Sequence, residues 1–203
     1  MKKINIPAVI FAGGKSSRMG KDKALLPFGE FETLVEFQYR RLQKIFQEVS
    51  ISWKNEKVKL DAKSIFDDEK FSKISAPAVG LYSILNSLED EYVFILSVDS
   101  PFFEESEILR LFKEVEGGYD AIIPITENGV EPLIAIYHKR VLSKIEYLLK
   151  TKNYKLKQLM QHLNTKYVKY VDSKSFINLN YPEQYEKAIN SYKSDIENRE
   201  VGI

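Results

Sequence analysis

The sequence has no cysteine, only two histidines (His138 and His162) and no long hydrophobic run. Without thiols there are no disulfides, thiolate metal sites, iron–sulfur clusters or cysteine nucleophiles. Two histidines do not supply the set of imidazoles that a histidine-rich zinc centre needs. An excess of one charge is also missing: 30 Lys and Arg face 29 Asp and Glu, for a net charge of +1. Such a balance offers no bulk attraction to nucleic acid or anionic lipid. Lys2 and Lys3 precede an apolar stretch, but Asn5 interrupts it, and the run from Pro7 to Ala12 is too short for the core of a signal peptide. The longest uncharged segment, Ile74 to Leu88, contains Ser, Asn, Gly and Pro and is too short and polar to span a bilayer. The expectation is a soluble, cytoplasmic protein with no membrane or nucleic-acid partner.

What is present is an ordinary globular composition: 203 residues, 44% hydrophobic and 29% charged. Short apolar runs alternate with segments of helical period. Ile6 to Ala12 is nearly all apolar, as a strand buried on both faces requires. Val35, Tyr39, Leu42 and Phe46 mark a helix over Glu32 to Phe46, and Val49 to Trp53 alternates as a strand. Ser64 to Phe66 is a short candidate strand. Leu81, Ile84, Leu85 and Leu88 have helical spacing, Tyr92 to Val98 reads as a buried strand, and Ile108 to Val115 as a helix closed by Gly117-Gly118. Ala121 to Ile125 and Leu133 to Tyr137 flank Asn128-Gly129, which predicts a hairpin-like excursion. Helical segments follow at Val141 to Leu149 and Leu156 to Leu163, then a strand at Tyr167 to Val171 and a helix around Tyr185 to Tyr192. This alternation predicts an α/β fold with a mostly parallel sheet. Residues 1–193 are expected to form one domain, and 194–203 a polar tail.

The segment with the most chemistry is Ala12-Gly13-Gly14-Lys15-Ser16-Ser17-Arg18-Met19-Gly20-Lys21-Asp22-Lys23. It leaves the end of the first strand, where open α/β sheets bind ligands. Glycines let backbone N–H groups approach an anion, and four basic side chains against Asp22 suit a polyphosphate. It is not a P-loop, whose first glycine would fall at Val9, nor does its spacing match a dinucleotide-binding G-x-G-x-x-G. Asp99 ends a buried strand before Ser100-Pro101, so its carboxylate either reaches the ligand crevice and holds Mg²⁺, or closes an Asx-type turn. Asn178 and Asn180 flank Leu179. In an extended backbone their amides face one way and suit a heteroaromatic ring edge; otherwise they cap the helix that starts near Pro182.

The run AGGKSSRMGKDKALLPF resembles the N-terminal signature of nucleotidyltransferases. Four further segments resemble the molybdenum-cofactor guanylyltransferase family (MobA-like nucleotidyltransferases): Ala76-Pro77-Ala78-Val79-Gly80, Val98-Asp99-Ser100-Pro101, Glu131-Pro132-Leu133-Ile134-Ala135 and Asn178-Leu179-Asn180-Tyr181-Pro182-Glu183. The resemblance runs from about residue 6 to residue 192. It implies a Rossmann-like three-layer fold, Mg²⁺ as cofactor, and transfer of GMP from GTP to molybdenum-molybdopterin with release of pyrophosphate. By carry-over, Lys15, Arg18, Lys23 and Asp99 are catalytic. Phe11, Ala12, Gly13, Gly14, Lys23, Asp67, Gly80 and Asp99 bind nucleotide, Asp99 binds the metal, and Asn178 and Asn180 contribute to the molybdopterin site. Spacing leaves Asp67 or Asp68 as the nucleotide contact. Ala76 stands where the family has glycine, Ser52 where relatives often have asparagine (with Asn55 as a substitute), and Glu131 where several have histidine. Transient contact with molybdenum-cofactor biosynthesis proteins or recipient enzymes is also implied. Two alternatives stay open: a cytidylyl- or sugar-1-phosphate nucleotidylyltransferase on the same loop, and a non-catalytic nucleotide sensor.

Overall fold

A computed structural model describes residues 3–14, 19–171 and 174–201, with side chains to residue 194. Among the described residues, eight strands form one sheet: β1 (Ala8–Phe11), β2 (Val49–Trp53), β3 (Lys63–Phe66), β4 (Tyr92–Ser97), β5 (Ala121–Thr126), β6 (Gly129–Val130), β7 (Ile134–His138) and β8 (Thr165–Lys169). Their order is β3-β2-β1-β4-β7-β5-β6, with β8 added to β5. Pairing is parallel for β1 with β2 and β4, β2 with β3, and β5 with β8. It turns antiparallel where β7 inserts between β4 and β5, and where β6 folds back on β5 as the Asn-Gly signal predicts.

The central strands read as unbroken apolar runs because both their faces are covered. Ala8 and Ile10 of β1, with Phe94 and Leu96 of β4, pack into one core with α1 (Leu34–Ile45), α3 (Glu105–Phe112) and α6 (Pro182–Val201). Val9, Phe11, Val93 and Ile95 face the opposite core, with α2 (Pro77–Ser87), α4 (Leu142–Lys150) and α5 (Leu156–Met160). This is the expected three-layer α/β arrangement.

Several boundaries differ from the sequence reading, and α5 stops at Met160 rather than Leu163. Strand β8 begins earlier than Tyr167, because Asn164 is anchored at the start of β5: its carbonyl accepts from Asp120 N, and its own N–H donates to Asp120 Oδ2. Val171 consequently lies beyond the strand and is 90% exposed. Helix α3 stops at Phe112 and the chain tightens into a 3₁₀ turn at Val115–Gly117, closed by Gly118 at φ +66°. Helix α6 continues past Lys193 to Val201, where the sequence suggested a tail.

The chain winds away from β1 in both directions, through α1 to β2 and through α2 to β4. The C-terminal ends of β1 and β4 therefore lie side by side, Phe11 opposite Ser97, with the loops after them diverging. Such a switch point is a crevice that the topology itself creates.

Candidate active site

The crevice begins where β1 ends. Phe11 O accepts from Val98 N (3.1 Å) and Ala12 N donates to Ser52 O (2.9 Å), so the glycine-rich loop leaves the sheet between the ends of β2 and β4. Two adjoining cavities follow. One, of about 160 Å³, is lined by Phe11, Gly13, Gly14, Lys54, Asp67 and the Ser75–Pro77 start of α2, with Gly80. The other, of about 220 Å³, shares Phe11, Gly14 and Pro77 and adds Ala12, Asp22, Lys23, Ser97, Asp99, Leu133 and Asn180. A larger groove of about 360 Å³ lies on the α1 and α3 side and contains none of the candidate residues.

In the first cavity the expected nucleotide residues meet. Gly80 is needed for contact: a Cβ there would lie 2.5 Å from the Phe11 ring, so its absence lets the ring pack on the first turn of α2. Ala76 is the N-cap of α2 at φ −148°, a conformation open to alanine, so replacing glycine leaves the backbone unstrained. Pro77 occupies the first turn, and no side chain caps the helix. The positive dipole end of the helix thus borders the cavity.

Of the two adjacent aspartates, Asp67 lines the cavity. Burial pushes its carboxyl above the ordinary carboxylate value, and the Lys54 ammonium opposes that rise. Asp68 is committed elsewhere: Oδ1 accepts from Lys70 N (2.9 Å), capping the Glu69–Phe71 3₁₀ turn, and Oδ2 accepts from Asn86 Nδ2 (3.1 Å). Ser52 is buried within β2, Asn55 is exposed, and the side chain bordering the cavity at the end of β2 is Lys54.

The second cavity brings together three distant segments. Asp22 accepts from Ala24 N (3.1 Å) and also pairs with Lys57, which sets a 3₁₀ turn at Lys23–Leu25. From that turn Lys23 Nζ donates to Asp99 Oδ2 (2.8 Å) and to Asn180 Oδ1 (2.7 Å). Ser97 Oγ donates to the other Asp99 oxygen, Oδ1 (2.5 Å). Asn178 Oδ1 accepts from the buried Ser100 hydroxyl (2.6 Å), and Leu179 N donates to Asp99 O (3.0 Å). The asparagine segment is therefore laced onto the loop that carries Asp99. Its backbone is not extended as expected: Asn180 N donates to Asn178 O (3.0 Å), a tight γ-type turn. Nor do these two side chains cap α6; Gln184 Oε1 does so by accepting from Asn180 N and Tyr181 N. Glu131 feels the Asp99 charge; burial first, then Asp99, raises its carboxyl above the ordinary value, against the pull of Lys157.

Lys15 and Arg18 lie outside the described residues. Among the described residues, no group of three or more His, Asp or Glu side chains could hold a metal ion. The metal ligand at hand is the Asp99 carboxylate, with the Ser97 hydroxyl on one of its oxygens and the Lys23 ammonium on the other. That fits Mg²⁺, which takes one or two carboxylates and completes its shell with water and substrate phosphates. Ser97, Ser100, Lys54 and Gln184 are absent from the sequence-derived site. Only Ser97 carried a signal, as the last residue of β4 two positions before Asp99.

A family model described as the MobA-like NTP transferase domain matches residues 8–167. The chain belongs to that family. A molybdenum cofactor guanylyltransferase of Campylobacter jejuni (strain 81116) is 37% identical over 188 residues, covering 93% of this chain and 95% of the relative. One from Helicobacter pylori (strain G27) is 34% identical over 196 residues, covering 93% and 94%. Among solved structures, the molybdopterin-guanine dinucleotide biosynthesis protein A of Archaeoglobus fulgidus superposes with a TM-score of 0.81 at 22% identity, covering 93% of this chain and all of that one. The 2-C-methyl-D-erythritol 4-phosphate cytidylyltransferase of Thermus thermophilus gives 0.69 at 16% identity, covering 94% of this chain and 100% of that one. These two likenesses establish the nucleotidyltransferase fold. No described helix is long and apolar enough to cross a membrane.

Proposed function

We propose that this MobA-like NTP transferase is a molybdenum cofactor guanylyltransferase that moves GMP from GTP to molybdenum-molybdopterin. The observation that carries the reading is the meeting of Lys23, Asp99 and Asn180 in one cleft of a chain 37% identical to a guanylyltransferase along nearly its whole length. An oxygen of the acceptor's terminal phosphate forms a bond to the α-phosphorus of GTP. The bond from that phosphorus to the α,β-bridging oxygen breaks, and pyrophosphate leaves with the electron pair. Chemistry of this type needs positioning and charge stabilisation rather than a covalent nucleophile.

Each residue then has a task. Phe11, Ala12, Gly13, Gly14, Asp67 and Gly80 form the nucleotide wall, and Lys15 and Arg18 meet the departing pyrophosphate. Lys23 stabilises charge at the α-phosphoryl group. Asp99 is the carboxylate to hold Mg²⁺, which when bound offsets phosphate charge. Asn178 and Asn180 present amides to the pterin. In this reading residues 1–193 act as one domain in the cytoplasm, passing a labile product in transient contact with cofactor-biosynthesis proteins or recipient enzymes.

Calorimetric titration with GTP and with CTP, each with Mg²⁺, tests the nucleotide half of the proposal. Preferential GTP binding, weakened in Asp99→Ala, is the expected result. A preference for CTP overturns the guanylyl assignment, and binding of GTP without turnover in the presence of acceptor would mark a nucleotide sensor.

A further inference from the structure

Gln38 is a polar side chain in the apolar stripe of α1, fully buried among Leu34, Val35, Leu42 and Ile45. An unpaired amide there would cost stability that an aliphatic residue would not, so its bonds deserve an account. Its Nε2 donates to Ser100 O (3.0 Å) and Val98 O (3.3 Å), the carbonyls on either side of Asp99. The carbonyl between them, Asp99 O, accepts from Leu179 N (3.0 Å). Three consecutive peptide carbonyls are thus tied alternately to α1 and to the asparagine segment. Neither peptide flanking Asp99 can rotate without breaking one of these bonds.

The amide itself is held in orientation. Arg41, one turn along α1, donates from Nη2 to Gln38 Oε1 (2.6 Å) and from Nη1 to Pro101 O (2.5 Å). With its oxygen occupied by a guanidinium, the amide must turn its NH₂ toward the loop. Ser100 completes the arrangement, since its carbonyl is gripped by Gln38 while its hydroxyl holds Asn178.

We propose that Gln38, oriented by Arg41, is a positioning residue that fixes the Asp99 carboxylate for Mg²⁺. The inference rests on the reading of Asp99 as the metal carboxylate. Groups behind a metal ligand restrict its orientation, and their loss lowers metal affinity even where the fold survives.

The test measures GTP binding by calorimetry across a Mg²⁺ series for wild type, Gln38→Met and Gln38→Glu at pH 8, well below each protein's melting temperature. Met keeps the volume but has no amide; Glu keeps the partner for Arg41 but loses the NH₂ donors, and decides the matter if Gln38→Met fails to fold. In both variants the Mg²⁺ concentration for half-maximal binding should rise about tenfold or more, while metal-free GTP affinity stays within about twofold of wild type. A packing role alone would not move the Mg²⁺ dependence. Unchanged half-saturation in the folded variants overturns the proposal. Asp99→Ala separates the two levels: if it abolishes the Mg²⁺ dependence while the Gln38 variants do not shift it, only this inference falls. If wild type shows no Mg²⁺ dependence, or Asp99→Ala retains it, the reading of Asp99 falls and takes the inference with it.

Discussion

Lys23 and Asn180 stand 157 positions apart in sequence, and Lys23 Nζ donates to Asn180 Oδ1 across 2.7 Å. The same ammonium reaches Asp99 at 2.8 Å. One cation therefore joins the glycine-rich loop, the end of β4 and the segment before α6. The outer parts are tied as well, since the Tyr185 hydroxyl of α6 donates to Pro27 O just beyond the Lys23 turn. Residues assigned to the nucleotide and to the acceptor thus share one hydrogen-bonded cluster.

Loss of Lys23 is expected to act on chemistry more than on the fold. Lys23→Ala should lower kcat by about 10²–10³, the scale for removing one preorganised charge-stabilising donor. Asp99→Ala should fall as far. Steady-state turnover with circular dichroism on the same samples checks this, and near-normal turnover in both variants would sink the assignments.

Ser100 should affect the acceptor and spare the nucleotide. Ser100→Ala leaves Asn178 Oδ1 without its partner at 2.6 Å but touches nothing in the cavity beside Asp67. KM for the acceptor should rise about 2- to 10-fold, the equivalent of one hydrogen bond, with GTP binding unchanged by calorimetry.

Gly80→Ala tests the close approach of α2 to Phe11. The added methyl meets the ring at 2.5 Å and must push it toward the cavity. A destabilisation of about 1–3 kcal/mol is expected from overpacking, together with weaker GTP binding. Chemical denaturation and calorimetry give the two quantities.

Glu131 supplies a pH dependence whose sign follows from its environment. Burial and the Asp99 charge raise its folded-state pKa, so folding favours the protonated form. As pH rises from the unfolded value through the folded one, the unfolded chain releases the proton first and stability falls. Glu131→Gln should therefore gain thermal stability over wild type near pH 7.5 and match it near pH 4. A constant difference at both pH values would contradict this.

The sequence is most legible where burial on two faces imposes unbroken apolar runs, as in β1 and β4, where alternation marks β2, and where glycines mark the loop after β1. Gly13 and Gly14 follow from that loop, whereas Phe11 and Gly80 come from the family resemblance rather than from local pattern. Spacing does not choose between Asp67 and Asp68, although Asp67 directly follows the apolar pair Ile65-Phe66; in the structure Asn86 and Lys70 hold Asp68 away from the cleft. Local pattern placed β8 late, since the anchor at Asp120 is a tertiary contact. The γ-type turn at Asn178–Asn180 has no periodic signature. Gln38 did leave a trace: a polar residue at a core-facing position of α1 calls for partners, although only the structure shows that these flank Asp99.

Guanylyl transfer is decided by the identity of the product. Purified protein incubated with Mg²⁺, molybdenum-molybdopterin and either GTP or CTP, followed by mass spectrometry of the cofactor and assay of pyrophosphate, measures it directly. GTP should give the guanine dinucleotide with one pyrophosphate released per cofactor, both formed about 10²–10³-fold more slowly by Asp99→Ala. A cytosine dinucleotide, or no product in the presence of bound GTP, would contradict guanylyl transfer.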